Sequence, residues 1–124
     1  MNGGSGNLIL EKAEAFALRI VRMYRHLTEE RNEHVMSKQV LRSGTSIGAN
    51  VAEGRHAASK ADLINKYVIA EKEASETSYW LRLLVRSGYL EQAPAAQSLM
   101  DDCDELIRLL AASVKTARGM RKPG

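Results

Sequence analysis

The sequence predicts an all-α fold, an antiparallel up-down-up-down four-helix bundle, from three features of the chain. Apolar residues recur at alternating spacings of three and four along four long segments, as they do in helices that pack along a seam. Short breaks containing glycine, proline or asparagine separate these segments. Aromatic residues make up only 5% of the chain, so the core must be aliphatic. Because short connections make consecutive helices antiparallel neighbours, a bundle follows.

Length and composition indicate one domain, since 124 residues with 44% hydrophobic content are typical of a globular chain. We expect residues 1–7 to form a flexible lead, residues 8–118 the bundle and residues 119–124 a basic tail. Charged residues interrupt every apolar run, so no segment is expected to span a membrane. The single cysteine, Cys103, excludes an internal disulfide and favours a reducing, cytoplasmic location.

The first helix is predicted from about Leu8 to Arg31, with Asn7 as its N-cap. It carries no internal glycine or proline, and the break at residues 32–34 ends it. Phe16 and Val21 widen its apolar face. The predicted seam consists of Leu10, Ala13, Ala17, Ile20, Tyr24 and Leu27.

The second helix, predicted over residues 35–53, is built largely of small side chains. Gly44 and Gly48 lie inside it, although a helical glycine costs about 0.5–1 kcal/mol relative to alanine. Close approach of neighbouring helices would compensate for this cost. Gly54 is placed to end the helix.

The third helix begins after Ser59, which is predicted to cap it, with the acidic Asp62 at the third helical position. Gly88 ends the helix. A second apolar stripe contains Ile64, Val68 and Val85. The predicted seam consists of Leu63, Tyr67, Ala70, Ala74, Thr77, Leu81 and Leu84.

The fourth helix starts at Pro94, a residue favoured in the first helical turn, and Gly119 ends it. Ile107 and Val114 flank its seam. The apolar faces of helices one, three and four are wider than one seam, which predicts an oligomer that buries the second stripe. The predicted seam consists of Leu99, Cys103, Leu106, Leu110, Ser113 and Ala117.

Patterns that would indicate catalysis or metal binding are incomplete in this chain. Glu53-x-x-His56 has the spacing of one half of a di-iron carboxylate site, but no second such pair occurs. Cys103 has no histidine in its own helix that could activate it. The stretch from Gly44 to Gly48 lacks the lysine of a phosphate-binding loop. We therefore predict no catalytic residue, no cofactor and no metal ion.

One polar set is predicted to be structural. Glu76 lies next to the seam of the third helix, where an unpaired carboxylate would be costly. We expect it to meet Asn50 or Arg42 across the contact between helices two and three, near Glu71 and Glu73. The predicted polar network contains Arg42, Asn50, Glu53 and Glu76.

Two stretches of the chain resemble a known family. Residues 42–54, RSGTSIGANVAEG, and residues 70–77, AEKEASET, followed by Trp80-Leu81 and Gly88-Tyr89-Leu90, are similar to the signatures of the four helix bundle proteins. These are also called 23S rRNA intervening-sequence proteins. The resemblance implies a cytoplasmic bacterial protomer that assembles as a homopentamer and has no catalytic residues. It also implies a relation to the accessory variability determinant proteins of diversity-generating retroelements, which bind a reverse transcriptase and its RNA.

The chain has a formal net charge of +3 and a pI near 9.2, which permits contact with nucleic acid. We therefore predict a non-enzymatic, self-associating bundle that binds RNA or a ribonucleoprotein partner, for which a reverse transcriptase is one candidate. The alternative is an adaptor that binds only protein. No membrane and no small-molecule substrate are expected. The predicted RNA-binding residues are Arg42, Arg55, Lys60, Lys66, Arg82, Arg86, Lys115, Arg118, Arg121 and Lys122.

Overall fold

The computed structural model describes residues 4–119, with side chains from Asn7 onward, as four helices. Each helix packs against the next one along the chain, and the last returns against the first, so the predicted antiparallel four-helix bundle is confirmed. None of the described helices is long and apolar enough to cross a bilayer. The helices are α1 (Gly4–Glu29), α2 (Met36–Gly54), α3 (Lys60–Arg86) and α4 (Pro94–Ala117).

Helix α1 begins earlier than the sequence analysis predicts. It starts at Gly4 rather than Leu8, so Asn7 lies inside the helix and does not cap it. The predicted flexible lead therefore overlaps the first turn of α1 at residues 4–7, and residues 1–3 lie outside the described residues. Asparagine and glycine disfavour a helix by only about 1 kcal/mol or less each, which the helical turns that follow can outweigh.

The buried face of α1 also differs from the predicted seam. Ala13, Ile20 and Leu27 are buried as expected, but Phe16 and Met23 join them, whereas predicted seam residues such as Tyr24 are only half-buried. The two stripes share three positions, and between them the helix turns Phe16 inward rather than Ala17. The residues of α1 buried in the core are Ile9, Ala13, Phe16, Ile20, Met23 and Leu27.

Helix α2 approaches α1 closely through its glycines, as its small residues predict. A Cβ atom on Gly44 would lie 2.9 Å from Ile20 Cγ1, and one on Gly48 would lie 3.6 Å from the Ala13 Cβ. Gly54 is the last residue of the helix rather than the predicted left-handed residue beyond its end, and a Cβ atom there would lie 3.1 Å from Tyr67 Cε1 on α3. The small residues of α2 therefore allow close contact with both neighbouring helices.

The Glu33 side chain caps the start of α2, a role that the sequence analysis missed. Its carboxylate accepts hydrogen bonds from the backbone amides of Val35, Met36 and Ser37 at 2.7–3.0 Å. Asn32, with a φ of 55°, turns the chain out of α1 just before it. The carboxylate satisfies three amides that have no partner within the helix, and its negative charge suits the positive end of the helix dipole.

The ends of α3 and α4 follow their sequence signals. Ser59 Oγ accepts a hydrogen bond from the Asp62 amide, and Pro94 occupies the first turn of α4. Gly88 and Gly119 adopt φ values of +87° and +71°, in the region that favours glycine, just after each helix ends. Within α4 the core takes Val114 in place of the predicted Ser113 and Ala117, which are half-buried.

Candidate functional site

A polar cluster joins α2 to α3 at the surface. Arg42 Nη2 donates to Glu76 Oε2 at 2.7 Å, and Arg42 Nη1 lies 3.2 Å from Glu73 Oε1. Trp80 Nε1 donates to the same Glu76 oxygen at 3.0 Å. The structure therefore brings Arg42 and Glu76 together across the helix contact. It also adds Trp80, whose position four residues after Glu76 was the available signal.

The other two residues of the predicted network have different partners. Asn50 Nδ2 donates to the backbone oxygen of Ser46 in its own helix at 2.9 Å. Glu53 Oε1 lies 2.8 Å from Lys66 Nζ, in the next helix. The four predicted residues thus do not form one network among the described residues, because Asn50 is short enough to satisfy its amide on its own backbone.

The hydrogen bonds of this cluster change the proton affinity of its members. The bond from Trp80, and next that from Arg42, lowers the pKa of Glu76 below its ordinary value, although burial opposes them. The bond to Glu76 is the largest cause that raises the pKa of Arg42. Glu76 is half-buried rather than sealed in the core, so the cluster remains accessible to solvent. Its chemistry is that of an ion pair that links two helices.

Two buried hydroxyl groups also join α2 to α3, on the core side of this cluster. Ser43 Oγ and Thr77 Oγ1 are 2.8 Å apart, and both side chains are buried. Thr77 Oγ1 also donates to the backbone oxygen of Glu73 at 2.7 Å. Ser43 therefore serves helix packing.

Four of the predicted RNA-binding residues lie together at one end of the bundle. We define the α2–α3 loop end as the end that contains residues 55–60 and the last turn of α4. Arg55, Lys60, Lys115 and Arg118 are exposed there, with no ion-pair partner among the described residues. The register of the bundle supports this grouping, because Cys103 Sγ of α4 bonds the backbone oxygen of Ala74 in α3. Counting in opposite directions from that contact brings Lys60 level with the end of α4.

The remaining predicted RNA-binding residues lie apart from that group. Arg82 and Arg86 are exposed near the opposite end of the bundle, and Arg42 is engaged with Glu73 and Glu76. Lys66, almost two turns inside α3, is paired with Glu53. Arg121 and Lys122 lie outside the described residues. The ten residues therefore do not form one continuous face, and four of them share the α2–α3 loop end without an acidic partner in residues 4–119.

The side chains considered for catalysis or metal binding are buried, exposed outside a helix, or already paired. Cys103 is buried, and its burial is the main cause that raises the pKa of its thiol to about 12. His56 is exposed beyond the end of α2, while Glu53 is bonded to Lys66. In the part of the chain that the structure describes, no three histidine, cysteine or acidic residues are grouped as metal ligands.

Comparison with known proteins identifies the family. The family model described as 23S rRNA-intervening sequence protein matches residues 6–112. A crystal structure of a protein of unknown function, from the S23 ribosomal protein family of Bacteroides thetaiotaomicron, is 49% identical in sequence and superposes with a TM-score of 0.86. The match covers 90% of this chain and 98% of that one. No curated protein gives a significant match. The two signatures and the bundle agree with these findings, and the chain belongs to the 23S rRNA-intervening sequence protein family.

Proposed function

We propose that the protein is a non-enzymatic bundle that binds RNA, alone or within a ribonucleoprotein, through its α2–α3 loop end. The observation that carries this proposal is the group of four exposed cations, Arg55, Lys60, Lys115 and Arg118, that have no ion-pair partner within residues 4–119. Such cations can neutralise phosphates and release counterions, which is the main source of affinity for nucleic acid.

Existing ion pairs support the use of these four cations rather than Arg42 and Lys66. Arg42 and Lys66 already have carboxylate partners, and an RNA phosphate would have to compete with them. Lys115 and Arg118 are at the end of a helix, where cations project into solvent. The basic residues Arg121 and Lys122 follow in the sequence and would add to the same charge.

The test is the affinity for a fluorescein-labelled single-stranded RNA, measured by anisotropy across a salt series. The logarithm of affinity should fall linearly with the logarithm of salt concentration. Replacing both Lys115 and Arg118 with glutamine should reduce the slope by roughly 0.7 for each phosphate that the protein no longer neutralises. A matched variant that replaces Lys38 and Lys72, two exposed lysines away from this end, should keep the slope. Equal slopes in the two variants would contradict the proposed surface.

A protein-only adaptor is the second candidate, and exposed apolar side chains favour it. Leu18, Val35 and Tyr79 are 58%, 74% and 52% exposed, respectively. Tyr79 packs edge-on against Trp80, with ring centroids 5.0 Å apart. Aromatic residues of this kind are enriched at protein interfaces. If RNA fails to bind even at low salt, this candidate replaces the first, and substitution of Tyr79 should then weaken capture of a protein partner.

We further propose that the protein self-associates in the cytoplasm, as a homopentamer on the basis of the family resemblance. Exposed Leu18 and Val21 on α1, outside the core stripe, support burial of further apolar surface in an oligomer. The buried, unpaired Cys103 is compatible with a reducing compartment. Light scattering coupled to size-exclusion chromatography measures the subunit number, and a monomer at all concentrations would contradict this part of the proposal.

A further inference from the structure

A cleft opens between α1 and α4 at the end of the bundle opposite the α2–α3 loop. Its volume is about 490 Å³, within the range of roughly 300–1,000 Å³ that small-molecule sites occupy. The buried side chains of Met23 and Leu99 form its base, together with half-buried Leu90. None of the predicted RNA-binding residues lines it.

Small residues at the start of α4 create this space. Ala93, Ala95 and Ala96 line the cleft where longer side chains would fill it. The cleft draws on α1, on the connection between α3 and α4, and on α4 itself, so no single stretch of sequence predicts it. A ligand that lies on the apolar base is removed from water there, and this is favourable for an apolar part of the ligand.

The rim of the cleft is basic on the side of α1. Arg19, Arg22, His26 and Arg31 contribute to the lining, and Glu91 is the one acidic residue among the described residues that line it. Arg19 is already paired with Asp102, at 2.6 Å.

The charges of Arg22 and Arg31 are not neutralised by a carboxylate within residues 4–119. Arg31 donates to the backbone oxygens of Tyr89 and Gly88, which hold its guanidinium in place without neutralising it. Arg22 has no ion-pair partner in residues 4–119 and is exposed. With Glu91 opposing them, the excess positive charge is small, so a single negative charge suits the rim better than two.

We propose that this cleft binds a small amphiphilic monocarboxylate. The apolar body lies on Met23, Leu90 and Leu99, and the carboxylate meets Arg22 and Arg31 at the rim. Guanidinium groups bind carboxylates through paired hydrogen bonds, which gives the headgroup a defined position. This site is separate from the proposed RNA surface and does not depend on it.

The experiment titrates the full-length protein, labelled with nitrogen-15, with decanoate below the concentration at which decanoate forms micelles. Amide shifts should saturate and centre on residues 19–31 and 88–99. Acetate has the carboxylate of decanoate without its long alkyl chain, and 1-decanol has the alkyl chain without the negative charge. Both should bind at least about fivefold more weakly than decanoate, the factor that corresponds to roughly 1 kcal/mol.

Two substitutions with matched controls locate the site. Ala95→Leu should fill the cleft and Arg22→Gln should remove the headgroup contact, and each should weaken decanoate binding by about fivefold or more. The controls are Ala112→Leu, exposed farther along α4, and Arg25→Gln, an exposed residue of α1 outside the lining; both should keep the affinity. The amide spectrum of each variant also reports whether it is folded. The proposal is overturned if no saturable shift occurs, if 1-decanol binds as tightly as decanoate, or if a folded Ala95→Leu variant binds decanoate unchanged.

Discussion

Gly44 of α2 lies directly against Ile20 of α1, with no room for a side chain between them. A Cβ atom at residue 44 would be 2.9 Å from Ile20 Cγ1 and 3.0 Å from Ile20 Cγ2. Ile20 is completely buried and branched at Cβ, so its two Cγ atoms cannot swing away without disturbing the core. The contact explains why a helix interior contains glycine despite its poor helix propensity.

Gly44→Ala should destabilise the protein, whereas Gly48→Ala should not. Overpacking of a core contact costs about 1–3 kcal/mol, which exceeds the roughly 0.5–1 kcal/mol that alanine gains in helix propensity. At residue 48 the nearest side-chain atom would be 3.6 Å away, an ordinary contact, so only the gain in propensity remains. Urea unfolding of both variants measures the free energies. Equal effects of the two substitutions would show that α1 and α2 separate more easily than this contact implies.

The Arg42–Glu76 pair should make a real but modest contribution to stability. The Arg42 side chain is 51% exposed and that of Glu76 36%, so solvent weakens their attraction. A double-mutant cycle with Arg42→Gln and Glu76→Gln should give a coupling free energy of about 0.5–1 kcal/mol. The more exposed Arg25–Glu29 pair, at 3.8 Å, is the matched comparison and should give less. A coupling no larger than that of the comparison pair would mean that Trp80 alone holds Glu76.

Local signals in the sequence were sufficient for the helices and most of their ends. Ser59 with Asp62, Pro94 and Gly88 each specify a terminus through the backbone conformation or hydrogen bond of a few neighbouring residues. The small residues of α2 likewise predicted close helix contact, because glycine inside a helix needs compensation.

Features that depend on distant partners could not be read from the sequence in the same way. On α1 two stripes share Ala13, Ile20 and Leu27, and the choice between them depends on how α2 and α4 pack. Glu76 had two polar candidates, Asn50 and Arg42, and its partner proved to be Arg42, whereas Glu53 pairs with Lys66 of the next helix. The basic residues could be named from the sequence, but the grouping of four of them at one end of the bundle requires the antiparallel register.

Cys103 should not react with thiol reagents while the protein is folded. Its side chain is fully buried, burial raises the pKa of the thiol to about 12, and Sγ lies 3.2 Å from the Ala74 oxygen. At neutral pH the reactive thiolate is therefore scarce and inaccessible. Reaction with dithiodipyridine should require unfolding, and its rate should rise with urea. A Ser75→Cys variant in a Cys103→Ala background provides an exposed thiol as the control, and fast labelling of native Cys103 would contradict its burial.

Glu33 should make the free energy of unfolding depend on pH. Burial favours its neutral form, but hydrogen bonds from the amides of Met36, Ser37 and Val35 outweigh this and lower the pKa of Glu33 below its ordinary value. A carboxyl group whose pKa is lower in the folded state stabilises that state above its unfolded pKa. This stabilisation is then lost as pH falls through the folded pKa.

Comparison of the wild-type protein with Glu33→Gln tests this dependence. At neutral pH the variant should be less stable by about 0.5–2 kcal/mol, the usual range for loss of a helix cap. The difference should shrink as pH falls below about 4.3, the ordinary pKa of a glutamate, because protonation removes the same charge from the wild type. Urea unfolding across this range measures it, with Glu29→Gln, an exposed neighbouring carboxylate, as the control. A difference between wild type and Glu33→Gln that stays constant with pH would mean that the hydrogen bonds of Glu33, not its charge, hold the start of α2.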